Sequence, residues 1–438
     1  MIELKSYADF ERFIGSFTNY ERQRHIAYGP EAMPLERMRS FVSELGDPLS
    51  SYPSIHIAGT KGKGSTSLML EALLAAEGFR VGTYTSPHVE HLRERIRVGG
   101  RWIGEAELVD LARSFLPVLE RRRSSGGGGF PTFFELMTAL AMSRFARAPV
   151  DWGVFEVGLG GRLDATNILA PRACAITGIG LEHVAVLGDT HQRIAREKAG
   201  IIKRGIPLVA GDMPEEALRE VLAAAREQGA EVVRPREGGV MPAGSGHVEI
   251  AGYGRFEAPA VRGPALRHDL AVALELHRLA LEASGRRPVA ARIAGALATL
   301  ELPARVELFA GTPPVLLDGA HTAESFGALE STLEEIGLPR PRTAVFSLAS
   351  DKRAEPILET LARIAGRFIL TRADPLRSLE PAAIRARLGA GDVIDAPRAA
   401  LEEALRRGEP VIVCGSMYLA GAVRGRMRER SRTVGAGA

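Results

Sequence analysis

The segment SIHIAGTKGKGS, residues Ser54–Ser65, decides the fold of this 438-residue chain. An apolar run breaks into a glycine-rich turn, and the apolar residues after the turn recur at helical spacing. A strand, a glycine-rich turn and a helix N-terminus together bind phosphate, because backbone N–H groups and the helix dipole converge on the anion. Lys63 adds a point charge to this turn. The segment therefore favours a nucleotide-phosphate site over a purely structural turn.

The turn departs from the loop of ordinary P-loop kinases and GTPases. Their GxxxxGK[ST] pattern would need glycine where Ile57 stands, and serine or threonine in place of Gly64. We therefore expect a shorter loop than those enzymes have.

Length and composition set broad limits on what the chain can be. A chain of 438 residues is too long for one ordinary core, so we expect two domains. The net charge of +3 and the scattered arginines indicate no nucleic-acid surface. The only two cysteines, Cys174 and Cys414, lie in apolar runs and fit a reducing, cytoplasmic setting. No apolar segment reaches the length of a membrane span.

The first part of the chain alternates strand-like and helical patterns. Such alternation predicts a parallel sheet covered by helices. Strands are predicted at residues 54–58, 80–85, 151–157, 173–178 and 207–211, and helices at 65–77, 105–123, 131–146 and 214–228. Residues 124–129 (SSGGGG) predict a surface loop, and residues 233–259 predict short antiparallel strands.

After two further helices, near 265–284 and 288–300, the alternation restarts at Leu302-Pro303. The pattern predicts a smaller doubly wound domain, with strands at 314–317, 343–348, 367–371 and 410–414. The tail after Arg428 is predicted to be irregular. We therefore expect two domains, residues 1–301 and 302–438.

Three residues that can bind a metal ion follow predicted strands. They are Ser86 in TSPH, Glu156 in FEVGLGG and His183 in GLEHV. Because the carboxyl ends of parallel strands meet at one edge of a sheet, we expect all three beside the phosphate loop. Each also has a structural interpretation, as a turn serine, a hydrogen-bonded acid and a helix-start histidine. Their common position favours a metal site.

Lys198, in AREKAGIIK, stands before an apolar pair where a bare ammonium would be costly to bury. The alternative is a surface lysine that packs its methylene chain and keeps its charge in water.

Taken together, these segments resemble folylpolyglutamate synthase and dihydrofolate synthase, members of the Mur ligase superfamily. The matching motifs run in order through most of the chain: HIAGTKGKGS, YTSPH, RERIRV, PTFFE, EVGLGGRLDATN, LGDT, EKAGIIK, PARVE, LLDGAH and VCGSMYLAG. The resemblance implies an α/β fold, with a P-loop-containing, Mur-ligase-like central ATPase domain and a smaller doubly wound α/β C-terminal domain.

The resemblance also implies roles for individual residues. ATP would bind at Gly59, Thr60, Lys61, Gly62, Lys63, Gly64, Ser65, Arg305 and Asp318. Folate would bind at Thr132, Phe133, Phe134, Glu135, Leu163, Asp164 and Ala165. Mg²⁺, as two ions, would be held by Ser86, Glu156 and His183 together with a carbamylated Lys198. Lys63, Lys198 and His321, the last near the phosphates, would be the catalytic groups. From the residues alone, Phe133 and Phe134 also fit a core at the start of a helix.

The chain departs from the usual family pattern at several positions. Lys61 replaces a common asparagine, Glu182 replaces a common aspartate, and Thr322 replaces the asparagine of DGAHNP. Val272 stands where we align the asparagine of HQ-x-x-N, which helps to hold the nucleotide. Since valine cannot form a side-chain hydrogen bond, we expect looser adenine recognition, and tighter ATP binding in a Val272→Asn variant.

The function expected from this resemblance is ATP-dependent ligation of L-glutamate to a folate-type carboxylate through an acyl phosphate. The substrates would be ATP, L-glutamate and dihydropteroate or tetrahydrofolate, and the enzyme would be a cytoplasmic monomer without nucleic-acid or membrane partners. The alternatives are a Mur-like ligase acting on another carboxylate, and a nucleotide-binding paralogue without turnover.

Overall fold

A computed structural model describes residues 3–22, 28–124 and 129–435. Most of the predicted glycine-rich loop at 124–129 lies outside these ranges. The helices are α1 (Tyr7–Gly15), α2 (Leu35–Glu44), α3 (Lys63–Ala76), α4 (Glu105–Ser124), α5 (Phe133–Arg147), α6 (Val184–Leu187), α7 (His191–Ala199), α8 (Glu215–Glu227), α9 (Gly263–Ala283), α10 (Ala290–Ala298), α11 (Ala323–Glu335), α12 (Ala354–Ile364), α13 (Pro381–Leu388), α14 (Pro397–Arg406) and α15 (Met417–Gly435).

The strands form three sheets. They are β1 (Ser54–Ala58), β2 (Val81–Tyr84), β3 (Ile96–Val98), β4 (Arg101–Trp102), β5 (Trp152–Glu156), β6 (Ala173–Ile176), β7 (Leu208–Ala210), β8 (Val232–Val233), β9 (Val240–Pro242), β10 (His247–Ile250), β11 (Gly254–Glu257), β12 (Glu307–Phe309), β13 (Val315–Leu317), β14 (Thr343–Phe346), β15 (Arg367–Leu370), β16 (Asp392–Val393) and β17 (Val411–Cys414).

The largest sheet has the order β4-β3-β2-β5-β1-β6-β7-β8. Strand β1 lies near its centre and pairs in parallel with β5 and β6. Every residue of these three strands is buried, as expected for parallel strands covered on both faces. The phosphate loop therefore leaves the carboxyl edge of the sheet between the segments that carry Glu156 and His183.

Helices cover both faces of this sheet. Helix α3 packs against α9 and α10 on one face, and the aromatic-rich α5 lies on the other face with α1, α2 and α4. The antiparallel edge strands β3 and β4 were not predicted from the sequence. The short antiparallel strands expected at 233–259 are present as β9, β10 and β11.

The C-terminal sheet has the order β12-β13-β17-β14-β15-β16 and is parallel except at β12. It has helices on both faces, so the predicted doubly wound α/β architecture is confirmed. The antiparallel edge strand β12 was not expected. Helix α15 continues to Gly435, so the predicted irregular end after Arg428 is wrong within the described residues.

None of the helices in the described part of the chain is both long enough and apolar enough to cross a membrane.

The position of Val272 does not support the expectation that residue 272 contacts adenine. Its side chain is fully buried in the apolar core where α9 packs against α3, and it does not line the cavity. The residue of α9 that reaches the phosphate loop is Asp269, because a Cβ on Gly62 would overlap the Asp269 carboxylate. A valine at position 272 is therefore a packing residue.

We expect Val272→Asn to destabilise the protein instead of improving ATP binding. The substitution buries an amide without partners, which costs about 1–3 kcal/mol of unfolding free energy. Chemical denaturation of the wild type and the variant measures this loss. Ala283→Asn, at an exposed position of the same helix, is the control and should change stability little. Tighter ATP binding by Val272→Asn with unchanged stability would contradict this assignment.

Candidate active site

The phosphate loop is held rigidly at the edge of the large sheet. Gly59 and Gly62 have φ values of 153° and 84°, which favour glycine. The Thr60 amide donates to the Gly178 carbonyl oxygen at 2.8 Å, and Lys63 Nζ donates to the carbonyl oxygens of Gly59 (3.0 Å) and Thr60 (3.3 Å). The N-cap of α3 is Gly62, which has no side chain, so the first-turn amides stay available for an anion.

The three predicted metal ligands meet beside this loop. Ser86, Glu156 and His183 follow or end the strands β2, β5 and β6, and all three line one cavity of about 470 Å³. The Ser86 amide donates to Glu156 Oε2 at 2.9 Å. This brings together two segments that are 70 residues apart.

The surroundings of these ligands shift their pKa values. The His183 side chain is exposed at the cavity, but partial desolvation, followed by the charges of Lys352 and Lys63, lowers its pKa to about 4, which favours the neutral imidazole that binds a metal ion. Burial also raises the pKa of Glu156, whereas Lys63 and the Ser86 amide oppose the rise. Within the described ranges no three His, Cys, Asp or Glu side chains cluster as a metal site. A hydroxyl, a carboxylate and a neutral imidazole nevertheless fit Mg²⁺ when phosphate oxygens supply further ligands.

Lys198 lies fully inside the protein near the end of α7. The loop that holds Gly161 packs against the Lys198 backbone so closely that a side chain at 161 would not fit. Among the described residues, none makes a hydrogen bond or an ion pair with Lys198 Nζ. Burial, followed by the charge of Lys63, lowers the pKa of Lys198 to about 7. The surface-lysine interpretation is therefore excluded.

The predicted folate-binding residues form one wall of the same cavity, with one exception. Thr132, Phe134, Glu135, Leu163, Asp164 and Ala165 line it. Phe133 does not: it is buried in the aromatic core, and the Arg95 guanidinium lies 5.2 Å from its ring centroid. The sequence could not decide between the two phenylalanines, because their exposure depends on how α5 is rotated against the sheet.

The carboxylates of Glu135 and Asp164 in this wall accept hydrogen bonds from backbone amides of their own segments. Glu135 accepts from the Thr132 amide at 2.7 Å and from Arg37 Nε at 2.9 Å, which caps α5 and ties it to α2. Asp164 accepts from the amides of Gly158 (3.1 Å) and Leu159 (3.0 Å). These contacts fix the two segments that frame the pocket.

The C-terminal domain closes the cavity from the other side. Asp318 accepts hydrogen bonds from the amides of Val306 (2.8 Å) and Ala320 (2.7 Å), which orders the segment that carries Arg305. The Arg305 guanidinium lies so near Gly64 that a Cβ there would overlap it. Burial raises the pKa of Asp318. Arg305 thus lies at the phosphate loop and Asp318 lines the same cavity, while their contacts with the nucleotide stay predictions.

One carboxylate links the two domains at the phosphate loop. Glu182 Oε1 lies 2.9 Å from Lys61 Nζ, 2.9 Å from His321 Nε2 and 3.7 Å from Lys352 Nζ. Burial would raise the pKa of Glu182, but the hydrogen bond with His321 and the charge of Lys61 hold it well below its usual range. Glu182 is therefore a carboxylate that links Lys61 of the N-terminal domain to His321 and Lys352 of the C-terminal domain.

Several cavity-lining residues had no role assigned to them from the sequence. They are Arg37, Glu182, Lys352, Asp374, Arg377, Ser416 and Tyr418. Lys352 follows β14, Arg377 follows β15 and Ser416 follows β17. The strand-end rule that indicated the metal ligands could have found these three as well.

Comparison with known proteins agrees with this arrangement. Residues 304–417 match the family described as Mur ligase, glutamate ligase domain. The chain is 32% identical over 435 residues to the dihydrofolate synthase/folylpolyglutamate synthase of Bacillus subtilis, covering 94% of this chain and 100% of that protein. This chain belongs to the folylpolyglutamate synthase/dihydrofolate synthase family. The fold class, the family and the ligase class expected from the sequence are confirmed.

Solved structures of the family superimpose over nearly the whole chain. Folylpolyglutamate synthase of Mycobacterium tuberculosis complexed with ADP gives a TM-score of 0.85 at 30% identity, covering 96% of this chain and 98% of that chain. E. coli FolC in complex with DHPP and ADP gives a TM-score of 0.82 at 28% identity, covering 97% of this chain and 98% of that chain.

Two further relatives are longer than this chain. They are probable bifunctional folylpolyglutamate synthase/dihydropteroate synthases of Halobacterium salinarum (36% identical, over 74% of this chain) and Haloferax volcanii (34%, over 89%). The chain spans 40% and 48% of their lengths.

We expect Lys63→Ala to remove turnover without unfolding the protein. Among the described residues, Lys63 Nζ donates hydrogen bonds only to the Gly59 and Thr60 carbonyl oxygens of its own loop, so its loss breaks no side-chain hydrogen bond, whereas the transferring phosphoryl group loses a charge contact worth about 3 kcal/mol. The rate constant kcat should fall roughly 100-fold. Steady-state kinetics and a thermal melt measure both effects. A folded variant with near-normal kcat would overturn the phosphate-loop assignment.

Proposed function

We propose that the protein uses ATP to join L-glutamate to the carboxylate of a folate-type acceptor. One observation carries this proposal. A single cavity brings together the phosphate loop, the candidate metal ligands, the aromatic wall and the cations of the C-terminal domain. The binding of ADP and DHPP by solved relatives supports ATP and a pterin acceptor as substrates.

The reaction would begin with transfer of the γ-phosphoryl group of ATP to the acceptor carboxylate. The carboxylate oxygen forms a bond to phosphorus, the bond to ADP breaks, and an acyl phosphate results. The glutamate amine then attacks the acyl carbon, inorganic phosphate leaves, and the amine gives up a proton. Lys63 and the first-turn amides of α3 would stabilise the charge on the phosphoryl group.

The proposed reaction also requires the exclusion of water and a metal ion. Because water hydrolyses an acyl phosphate, the site must be enclosed, and contacts between the two domains support this. Ser86, Glu156 and His183 would hold Mg²⁺, which would neutralise phosphate charge when bound. His321, hydrogen-bonded to Glu182 and to the Gly319 carbonyl oxygen, would lie near the phosphates.

We propose that Lys198 is carbamylated in the active enzyme. A neutral amine attacks CO₂, forming an N–C bond and releasing a proton, and the product is an anion that can bind a second Mg²⁺. The full burial of Lys198 and its lowered pKa favour the neutral amine that this reaction requires. Without the carbamate, a cation at this position would repel the metal.

Further parts of the proposal concern the whole protein. We propose domains of residues 1–301 and 302–438, a monomer, and action in the cytoplasm, where two buried free cysteines suit reducing conditions. A Mur-like ligase acting on another carboxylate and a paralogue without turnover are the competing functions.

Acceptor-dependent ADP release tests the proposed function. We expect ADP only when glutamate and either dihydropteroate or tetrahydrofolate are both present with ATP and Mg²⁺. Mass spectrometry should show the acceptor plus one glutamate residue, and extended products would indicate polyglutamate synthesis. ADP release from ATP alone, or no release with either acceptor, would contradict the proposal.

Carbamylation is tested with ¹³C-bicarbonate and NMR. We expect a carbamate signal in the wild type that is absent from Lys198→Ala, with most ligase activity lost and ATP binding retained. CO₂ depletion should lower wild-type activity, bicarbonate should restore it, and acetate or formate should partly rescue the variant.

Lys203→Ala is the matched control for that experiment. Lys203 Nζ donates to Asn167 Oδ1 at 2.7 Å, so this lysine already has a partner, and its variant should keep the signal. A crystal of the active, Mg²⁺-loaded enzyme with a plain lysine at position 198 would contradict carbamylation.

A further inference from the structure

The segment that carries Ser86 continues into a loop that touches the C-terminal domain. This Ser86 loop (residues 86–91) is anchored within its own domain by Glu94, whose carboxylate accepts from the amides of Val89 (2.7 Å), Glu90 (2.8 Å) and His91 (2.8 Å). Its outer side is covered by the first two turns of α15. The loop that carries the candidate metal ligand Ser86 therefore packs directly against α15 of the C-terminal domain.

The contact with α15 leaves no room for a side chain. A Cβ on Gly421 would overlap the carbonyl oxygen of Val89, which is a backbone atom and cannot rotate away. Val89, Ala420, Met417 and Ala304 form a small apolar cluster around this point. Close backbone packing of this kind fixes the position of the loop along the helix.

An arginine one turn later adds charge to the same contact. Arg424 is 2% exposed, and its Nη1 donates to Glu90 Oε2 at 2.6 Å. Its Nε and Nη2 donate to the carboxylate of Glu307 at 2.8–3.0 Å. Glu307 also accepts from the Ala304 amide at 2.9 Å, next to Arg305. One buried guanidinium thus joins the Ser86 loop to the segment that carries Arg305.

We propose that Arg424 and Gly421 are positioning residues, through which α15 places the Ser86 loop and the Arg305 segment for phosphoryl transfer. Neither residue lines the cavity. Gly421 acts through the backbone of Val89 and Glu90, and Arg424 acts through the carboxylates of Glu90 and Glu307. The site then reaches its working geometry only when the C-terminal domain is seated on the loop.

Two glycines of the same helix give a matched test. Gly421→Ala inserts a methyl group into the Val89 contact. Gly425→Ala, one turn later, brings its methyl group only to 3.3 Å from Glu90 Oε1, which is not the oxygen that accepts from Arg424, and meets no backbone atom of the loop. Both changes raise helix propensity equally, so a loss seen in one alone comes from the loop contact.

We expect Gly421→Ala to fold normally, to speed amide hydrogen exchange in residues 88–91, and to lower kcat roughly 10- to 100-fold, since a misplacement of about 1 Å can cost 100-fold. Gly425→Ala should match the wild type in exchange and kcat. Glu90→Gln removes the charge of one Arg424 partner and should raise the Mg²⁺ concentration for half-maximal rate, with the KM for ATP at saturating Mg²⁺ unchanged.

Wild-type exchange and kcat in Gly421→Ala would overturn this inference. Equal losses in both alanine variants would also overturn it, because the helix and not the contact would then be responsible. The expected change in kcat rests on the proposed function. The expected change in hydrogen exchange does not, so this measurement would reveal whether α15 positions the loop even in a protein without folate ligase activity.

Discussion

Close packing around the phosphate loop constrains the rest of the molecule. A Cβ at Gly59 would overlap Thr177, one at Gly62 would overlap Asp269, and one at Gly64 would overlap Arg305. These neighbours come from the segment after β6, from α9 and from the start of the C-terminal domain. The loop is therefore the place where the sheet, the helix layer and the second domain meet, and each must be in position before the anion site exists.

Charge pairs across the domain boundary add to this constraint. Glu182 faces His321 and Lys352 of the C-terminal domain, and Arg424 faces Glu90 of the N-terminal domain. Removing one partner of a buried pair leaves an uncompensated charge and is costly. Separation of the domains would expose such charges to water, whereas closure requires each to find its partner. Electrostatics therefore specifies one relative orientation of the two domains.

The sequence was sufficient for the features that depend on local pattern. It identified β1, the phosphate loop and the strand-end positions of Ser86 and Glu156, because parallel strands and glycine turns leave short-range signals. It failed where the answer depends on how a helix is rotated or on which elements meet across the domain boundary. Val272 lies one helical turn from Asp269 on the same side of α9, and only the way in which α9 docks on α3 places Asp269 at the phosphate loop and Val272 in the apolar core.

The folate wall shows that residues of a binding motif can also maintain the shape of a pocket. The carboxylates of Glu135 and Asp164 suggest direct contacts with a polar ligand, yet both accept backbone hydrogen bonds that cap or fold their own segments. Arg37 completes the first of these arrangements from α2. Phe134, Leu163 and Ala165 line the cavity beside these two acids and offer it apolar surface that suits a flat ring. The motif thus specifies the shape of the pocket, and the charged side chains maintain that shape.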